Sequence, residues 1–97
     1  MQFRKKPVVI EAVQIKKGMG YPIWLVEAIA SNKVTVFNLS FGVDLPPFAK
    51  IETLEGIMRG DDGDWIICGV ARELYPCKAE IFEATYEPVE EECLKDS

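Results

Sequence analysis

The residues best suited to chemistry in this chain are concentrated in one stretch, "GDWIICGVARELYPC", at residues 63–77. It contains two of the three cysteines, Cys68 and Cys77. Aspartates stand just before it, and cations stand inside and beside it. Such a set suggests a thiol nucleophile, a calcium loop or an acid–base pair. Each of these requires particular neighbours at a particular spacing.

Neither of the two calcium loops that start in this region has the required ligands. An EF-hand loop that begins at Asp61 places Arg72 at its twelfth position, where a bidentate Glu is required. A loop that begins at Asp62 places Ile66 and Ile67 at the positions of an oxygen ligand and the turn glycine. Asp and Gly are also common turn residues. The sequence therefore predicts a turn here and no metal site.

The composition narrows the catalytic possibilities further. The chain has no histidine, which removes the commonest general base, the Ser-His and Cys-His pairs and the usual zinc ligands. Its three cysteines include no CxxC pair, which favours a reducing, cytoplasmic location. We expect Cys68 and Cys77 to lie on facing arms of a hairpin as structural residues. No catalytic residue, metal or cofactor is predicted.

The elements that must position these residues begin with a β-branched strand at residues 7–15, "PVVIEAVQI". Both of its faces are mostly apolar, so Glu11 either reaches solvent near an edge or is a partly buried carboxylate that holds a cation. A helix at about 21–31 follows, with Pro22 at its first position and Asn32 as a left-handed terminator. Its apolar residues form one stripe: Tyr21, Trp24, Leu25, Ala28 and Ile29.

The remaining segments alternate polar and apolar residues, as strands do. They predict strands at 33–41 and 49–55, a turn at 56–63, a hairpin of 64–70 and 74–77, a helical turn at 78–82 and a closing strand at 83–89. This order predicts an α+β fold: a curled, mainly antiparallel sheet of about five to six strands with one covering helix (about 21–31). Residues 1–89 are expected to form a single compact domain, and residues 90–97 an acidic, disordered tail.

Both ends of the chain resemble a family of small tailed-phage and prophage proteins. The matching segments are "FRKKPVVIEAVQI", "IETLEG" and "GDWIICGVARELYPCKAEIFEATYEPV", which together cover about half of the chain. The resemblance implies an intracellular phage product without an assigned activity. Two residues depart from the family pattern. Arg72 stands where the family usually has a hairpin glycine, and Cys68 replaces what is often Lys or Arg.

Binding is the role that these residues leave open. Aromatic faces and cations occur together near the hairpin and at the start of the chain, a mixture that suits a flat, anionic, nucleotide-like ligand. The alternative is that the same residues only pack. The candidate ligand-binding residues are Arg4, Lys5, Lys6, Trp65, Arg72, Tyr75 and Lys78.

We therefore expect a non-catalytic binding protein in the cytoplasm of an infected or lysogenic bacterial host. It would be a counter-defence or host-takeover factor that sequesters a small anionic ligand or a host protein. One alternative is a structural or accessory phage protein that self-assembles; another is an enzyme that uses Glu11 or Asp64. The net charge of −5 argues against bulk nucleic-acid binding, and no apolar run suits a membrane span. The exposed edges of a small sheet predict a homo-oligomer.

Overall fold

The computed structural model describes residues 1–2 and 9–88. Its elements are β1 (Glu11–Gln14), α1 (Ile23–Ala30), β2 (Val34–Phe37), β3 (Phe48–Thr53), β4 (Gly56–Gly60), β5 (Trp65–Cys68), β6 (Leu74–Cys77) and α2 (Ala79–Thr85). The six strands form two antiparallel sheets, sheet A in the order β1-β5-β6 and sheet B in the order β2-β3-β4. The α+β class is confirmed. The single curled sheet with one covering helix is wrong, because the described strands form two sheets, not a closed barrel, and a second helix is present.

Sheet B is a local meander, and its last strand lies where the sequence predicts a turn at 56–63. The turn that precedes this strand consists of Leu54 and Glu55, because Thr53 pairs directly with Gly56. Gly56 has a φ of 105°. The Thr53 hydroxyl donates a hydrogen bond to the Gly56 carbonyl oxygen. The second glycine, Gly60, is buried, and a Cβ there would lie 2.7 Å from Ile15 Cδ1. This glycine therefore permits close packing between sheet B and the end of β1.

Helix α1 confirms most of the predicted boundaries. Asn32 adopts a φ of 65°, as a left-handed terminator should. Pro22 is the N-cap and not the first helical residue, so the helix starts one position later than expected. Tyr21 consequently lies outside the helix and is 48% exposed. The part of the apolar stripe that is buried is Trp24, Leu25 and Ala28.

Side chains from α1 and both sheets meet in one core. Ile15 and Ile51 have no exposed surface, and each lies at or within a strand of a different sheet. Glu11, by contrast, is exposed at the start of β1. The solvent-exposed alternative for this carboxylate is therefore the correct one. The other buried apolar members are Met19, Trp24, Leu25, Ala28, Val34, Ala49, Ile66 and Cys68.

Helix α2 continues the helical turn predicted at 78–82 as far as Thr85, where the sequence predicts the start of a closing strand. Its segment "AEIFEAT" contains Ala and Glu, which have high helix propensity, and no Gly or Pro. Phe82 and Tyr86 are four residues apart, so a helix places them on the same side, where their ring centroids lie 5.1 Å apart. The Asp64 carboxylate accepts a hydrogen bond from the Ala79 N–H, an otherwise unpaired donor in the first turn. The helix is favoured by the aromatic pair within this segment and by a carboxylate fifteen positions earlier, neither of which an alternating pattern reveals.

Some of the predicted features lie outside the described residues. These are the acidic tail at 90–97 and the cations Arg4, Lys5 and Lys6. Their proposed roles therefore stay predictions. Within residues 1–2 and 9–88, neither helix has the length and apolar character needed to cross a membrane.

Candidate functional site

The β5–β6 hairpin divides its side chains between the two faces of sheet A. Ile67 pairs with Tyr75, and Trp65 pairs with Cys77. Directly paired residues project from the same face of an antiparallel sheet, so these four share one face. Helix α2 lies over this face, because Phe82 stacks on Trp65. The alternate residues project toward the main core from the other face: Ile66, Cys68, Leu74 and Pro76.

The structure brings together only some of the predicted ligand-binding residues. Trp65 and Tyr75 share the face beneath α2. Arg72 lies in the turn at the far end of the hairpin, with its Nη1 atom 3.9 Å from Cys68 Sγ, on the core-facing side of the sheet. Lys78 lies at the start of α2. The four do not form one continuous surface, and their binding roles stay predictions.

Lys78 belongs to a network of opposite charges. Its Nζ atom lies 3.3 Å from Asp64 Oδ2 and 3.6 Å from Asp61 Oδ2. Arg59 Nε lies 2.7 Å from Asp61 Oδ1. The Asp64 carboxylate, hydrogen-bonded to Lys78, raises the pKa of the ammonium, and the Arg59 hydrogen bond lowers the pKa of Asp61. The positive charge of Lys78 is thus balanced within the protein.

Asp64 is the buried member of this network, with 6% of its surface exposed. Oδ2 accepts a hydrogen bond from the Asp61 N–H at 2.9 Å, and Oδ1 accepts one from the Ala79 N–H at 3.3 Å. The Asp64 N–H donates in return to the Asp61 carbonyl at 2.9 Å. The carboxylate therefore joins the 61–64 turn to the start of α2. The part of the predicted turn that follows β4 is confirmed here, and Asp64 is a structural residue at its end.

The two cysteines of the hairpin are three pairing positions apart. Cys68 pairs with Leu74, and Cys77 pairs with Trp65, so the two thiols do not face each other. Both are free. Burial, with the nearby Asp64 carboxylate as a smaller cause, raises the pKa of Cys77. A thiol with a raised pKa is mostly protonated at neutral pH and is a weak nucleophile.

An open groove lies between the N-terminal part of sheet A and α2, with a volume of about 570 Å³. Its aromatic wall is a continuous stack: the Trp65 and Phe82 centroids lie 4.2 Å apart at an angle of 9°. Tyr86 continues the stack beyond Phe82. Val9, which also lines the groove, is 70% exposed. We call this the aromatic groove; its other apolar lining residues are Ile10, Ala12 and Pro88.

The charged residues that line the aromatic groove are both acidic, Glu83 and Glu87. Both are exposed and belong to α2 or the residues just after it. Of these groove residues the sequence predicts a binding role for Trp65, but not for Phe82, Tyr86 or the two glutamates. The spacing of Phe82 and Tyr86, four residues apart, is the signal that would have found them, had the segment been read as a helix.

A second, smaller pocket of about 250 Å³ lies between α1 and the β5–β6 turn. Arg72 and Lys33 bring two cations to its lining, and Trp24 forms part of its wall. Arg72 has a φ of 67° in the three-residue loop at 70–72. The Gly69 N–H donates to the Glu73 carbonyl at 2.8 Å across this loop. Glycine adopts such a φ without strain, so an arginine at this position lowers the stability of the fold by about 1 kcal/mol relative to glycine.

Tyr75 is partly buried, which distinguishes it from a fully exposed phenol. Burial, and after it the neighbouring Tyr86 hydroxyl, raise the pKa of Tyr75 to about 12. The phenol therefore stays neutral throughout the physiological range. Its position beneath α2 suits packing in the floor of sheet A better than direct contact with a ligand.

A scan of protein-family models, a search of curated proteins and a search of solved structures each find no match. Within residues 1–2 and 9–88, no group of three or more acidic or cysteine side chains is placed to hold a metal ion. The function must therefore be inferred from cavities in the described residues and from the side chains that line them.

Proposed function

We propose that the chain is a non-catalytic binding protein whose aromatic groove holds an apolar segment of a partner protein. The observation that carries this proposal is the stack of Trp65, Phe82 and Tyr86 beside a 70%-exposed Val9 in an open groove. Aromatic side chains offer large apolar areas with few rotatable bonds, so they lose little entropy on binding. They are enriched among the residues that dominate protein–protein affinity.

The charges of the groove indicate the chemistry of the partner. Glu83 and Glu87 stand among the lining residues, and no cation does so among the described ones. Carboxylates on a groove repel an anionic ligand and attract a segment with Lys or Arg beside its apolar residues. Lys78, the cation nearest the stack in sequence, is already paired with Asp61 and Asp64. These features favour the protein partner over the nucleotide-like ligand at this site.

The proposal is non-catalytic because the candidate reactive groups have structural roles. The Asp64 carboxylate is buried and accepts hydrogen bonds from two backbone amides. The Cys77 thiol has a raised pKa, which disfavours the thiolate. A protein of this kind acts by occupying its partner. If the resemblance to small phage proteins reflects kinship, the partner would be a host protein, and its sequestration would serve host takeover or counter-defence.

Peptides of defined composition test the groove. The probe is a fluorescent peptide of about twelve residues that alternates Leu and Lys, and its matched control replaces each Lys with Glu. Fluorescence anisotropy should show saturable binding of the Lys peptide and at least tenfold weaker binding of the Glu peptide. Phe82→Ala should weaken binding about tenfold or more, because it removes the centre of the stack. The proposal would be refuted if the two peptides bound equally. It would also be refuted if Phe82→Ala bound the Lys peptide as tightly as the unchanged protein does.

A charge reversal makes the test specific to the groove. Glu83→Lys with Glu87→Lys should exchange the preference, so that the Glu peptide binds more tightly than the Lys peptide. The matched control is Glu80→Lys with Glu55→Lys, which changes the net charge equally at two exposed acids outside the groove lining. If the control pair changes the peptide preference as strongly as the groove pair does, the preference is caused by the net charge of the protein, and the groove is not the binding site.

A second candidate function is self-assembly, favoured by the apolar tip of the β3–β4 hairpin. Leu54 is 99% exposed and Ile57 is 71% exposed, both on or beside the turn of an edge strand. Exposed apolar groups next to a sheet edge favour contact with a second copy. Sedimentation velocity should then show an oligomer that Leu54→Lys with Ile57→Lys dissociates. A monomer at about 100 μM protein would remove this candidate, since interfaces weaker than that contribute little at cellular concentrations.

A further inference from the structure

We propose that the pocket between α1 and the β5–β6 turn is a binding site for a small oxyanion, phosphate being the simplest example. We call it the anion pocket. Its defining residues are Lys33, Arg72 and Trp24, which come from three separate parts of the chain. The volume of about 250 Å³ suits a small anion with its water better than a whole nucleotide. This site is independent of the aromatic groove, which lies on the other face of sheet A.

The two cations of the anion pocket are not neutralised by ion pairs within the described residues. The salt bridges there join Arg59 and Lys78 to aspartates, and neither Lys33 nor Arg72 takes part. Glu27 also lines the pocket but is not within ion-pair distance of either cation. Both residues are exposed, so a ligand that enters the pocket meets two positive charges and the carboxylate of Glu27. A bound oxyanion would balance the two positive charges.

Arg72 occupies a position where glycine would be more stable. Its φ of 67° lies in the left-handed region, and its backbone N–H closes the turn to the Gly69 carbonyl at 3.0 Å. Its guanidinium gains little in return, since its described polar contact is a 3.9 Å approach to the Cys68 sulfur. A strained residue whose charged group lines a cavity is typical of a binding site.

Trp24 supplies the second, independent observation. The residue is 7% exposed and lines the anion pocket, yet its indole N–H has no hydrogen-bond acceptor. Buried donors are almost always paired, and the two buried side-chain donors without a partner among the described residues are the indole N–H groups of Trp24 and Trp65. The Trp24 nitrogen is fully covered. An oxyanion would therefore reach it after a small shift of the wall, and that shift would change the fluorescence of this indole.

The experiment uses Trp65→Phe as the reporter background, because it leaves Trp24 as the single tryptophan. Sodium phosphate is titrated at constant ionic strength, with chloride as the blank. The expected result is a saturable change in fluorescence with a dissociation constant on the order of 1 mM. A parallel titration with acetate shows whether a carboxylate can replace the phosphate. No saturable change with either anion up to about fifty times that concentration would overturn the proposal.

Arg72→Gly separates binding from stability. The substitution should weaken phosphate binding at least tenfold and raise the melting temperature by several degrees, since glycine relieves the positive φ. Lys33→Ala should weaken binding similarly, whereas Lys50→Ala, an exposed lysine outside the pocket lining, should leave it unchanged. Undiminished binding in Arg72→Gly, or an equal loss in Lys50→Ala, would show that phosphate does not occupy this pocket.

Discussion

Replacing Asp64 with alanine is expected to destabilise the protein more than any other single change at a charged residue described here. The carboxylate is buried and accepts hydrogen bonds from the backbone N–H groups of Asp61 and Ala79. Without it, both amides lose their acceptor, and the 61–64 turn is no longer joined to α2. The neighbouring Asp62 is exposed and makes none of these bonds, so Asp62→Ala is the matched control.

The size of the effect follows from the hydrogen bonds. A hydrogen bond to a charged group contributes about 1.5–3 kcal/mol, so two would contribute about 3–6 kcal/mol. The Ala79 bond is long, at 3.3 Å, and partly exposed amides regain water after the substitution. We therefore expect a loss of about 2–4 kcal/mol. The Lys78 ion pair adds little, because its side chain is 57% exposed.

Urea unfolding followed by tryptophan fluorescence measures this loss. With a slope of about 1–3 kcal/mol/M, the midpoint of Asp64→Ala should fall by roughly 1–2 M relative to Asp62→Ala. The variant should also lose affinity for the Leu–Lys peptide, because α2 carries the aromatic wall of the groove. If the two variants differ by less than about 0.5 kcal/mol, Asp64 does not join the turn to the helix and the structural assignment is wrong.

Two further outcomes follow from burial. Because the folded-state pKa of Tyr75 is raised to about 12, the unfolded chain releases this proton first, so the unfolding free energy should fall as pH rises from about 10 toward 12. Tyr75→Phe should remove that part of the decline in urea melts, and an unchanged slope would contradict the burial of the phenol. The Ile51 side chain has no exposed surface, so Ile51→Ala should lower the free energy of unfolding, measured in thermal melts, by about 2–5 kcal/mol. A decrease of less than about 1 kcal/mol would place Ile51 outside the core.

The sequence was sufficient for elements whose signals are local. Helix α1 has a stripe at helical spacing and Asn32 as terminator, and the β5–β6 hairpin has alternating residues around a short turn. The sequence also predicts the backbone strain at Arg72, because an arginine stands at a hairpin position that favours glycine, and the observed φ is positive. These features depend on residues that are near in sequence, so composition and spacing determine them.

The features that the sequence did not predict depend on distant partners. The sequence predicts a turn where the strand Gly56–Gly60 lies, because glycine is common in turns. In the structure, Gly60 instead permits contact with Ile15. Helix α2 is stabilised at its start by Asp64, fifteen positions before Ala79. The aromatic groove requires both this helix and β1, so the sequence could supply Trp65 but not the surface around it.

The central claim, that the aromatic groove binds an apolar and basic protein segment, is tested most directly by nuclear magnetic resonance. The measurement is the indole N–H resonance of Trp65 in a Trp24→Phe background, recorded during titration with the Leu–Lys peptide. We expect that resonance and the amides of α2 to shift together and saturate, and the Glu peptide to leave them in place. A Trp65 resonance that stays fixed, or shifts equally with both peptides, would contradict the proposed function.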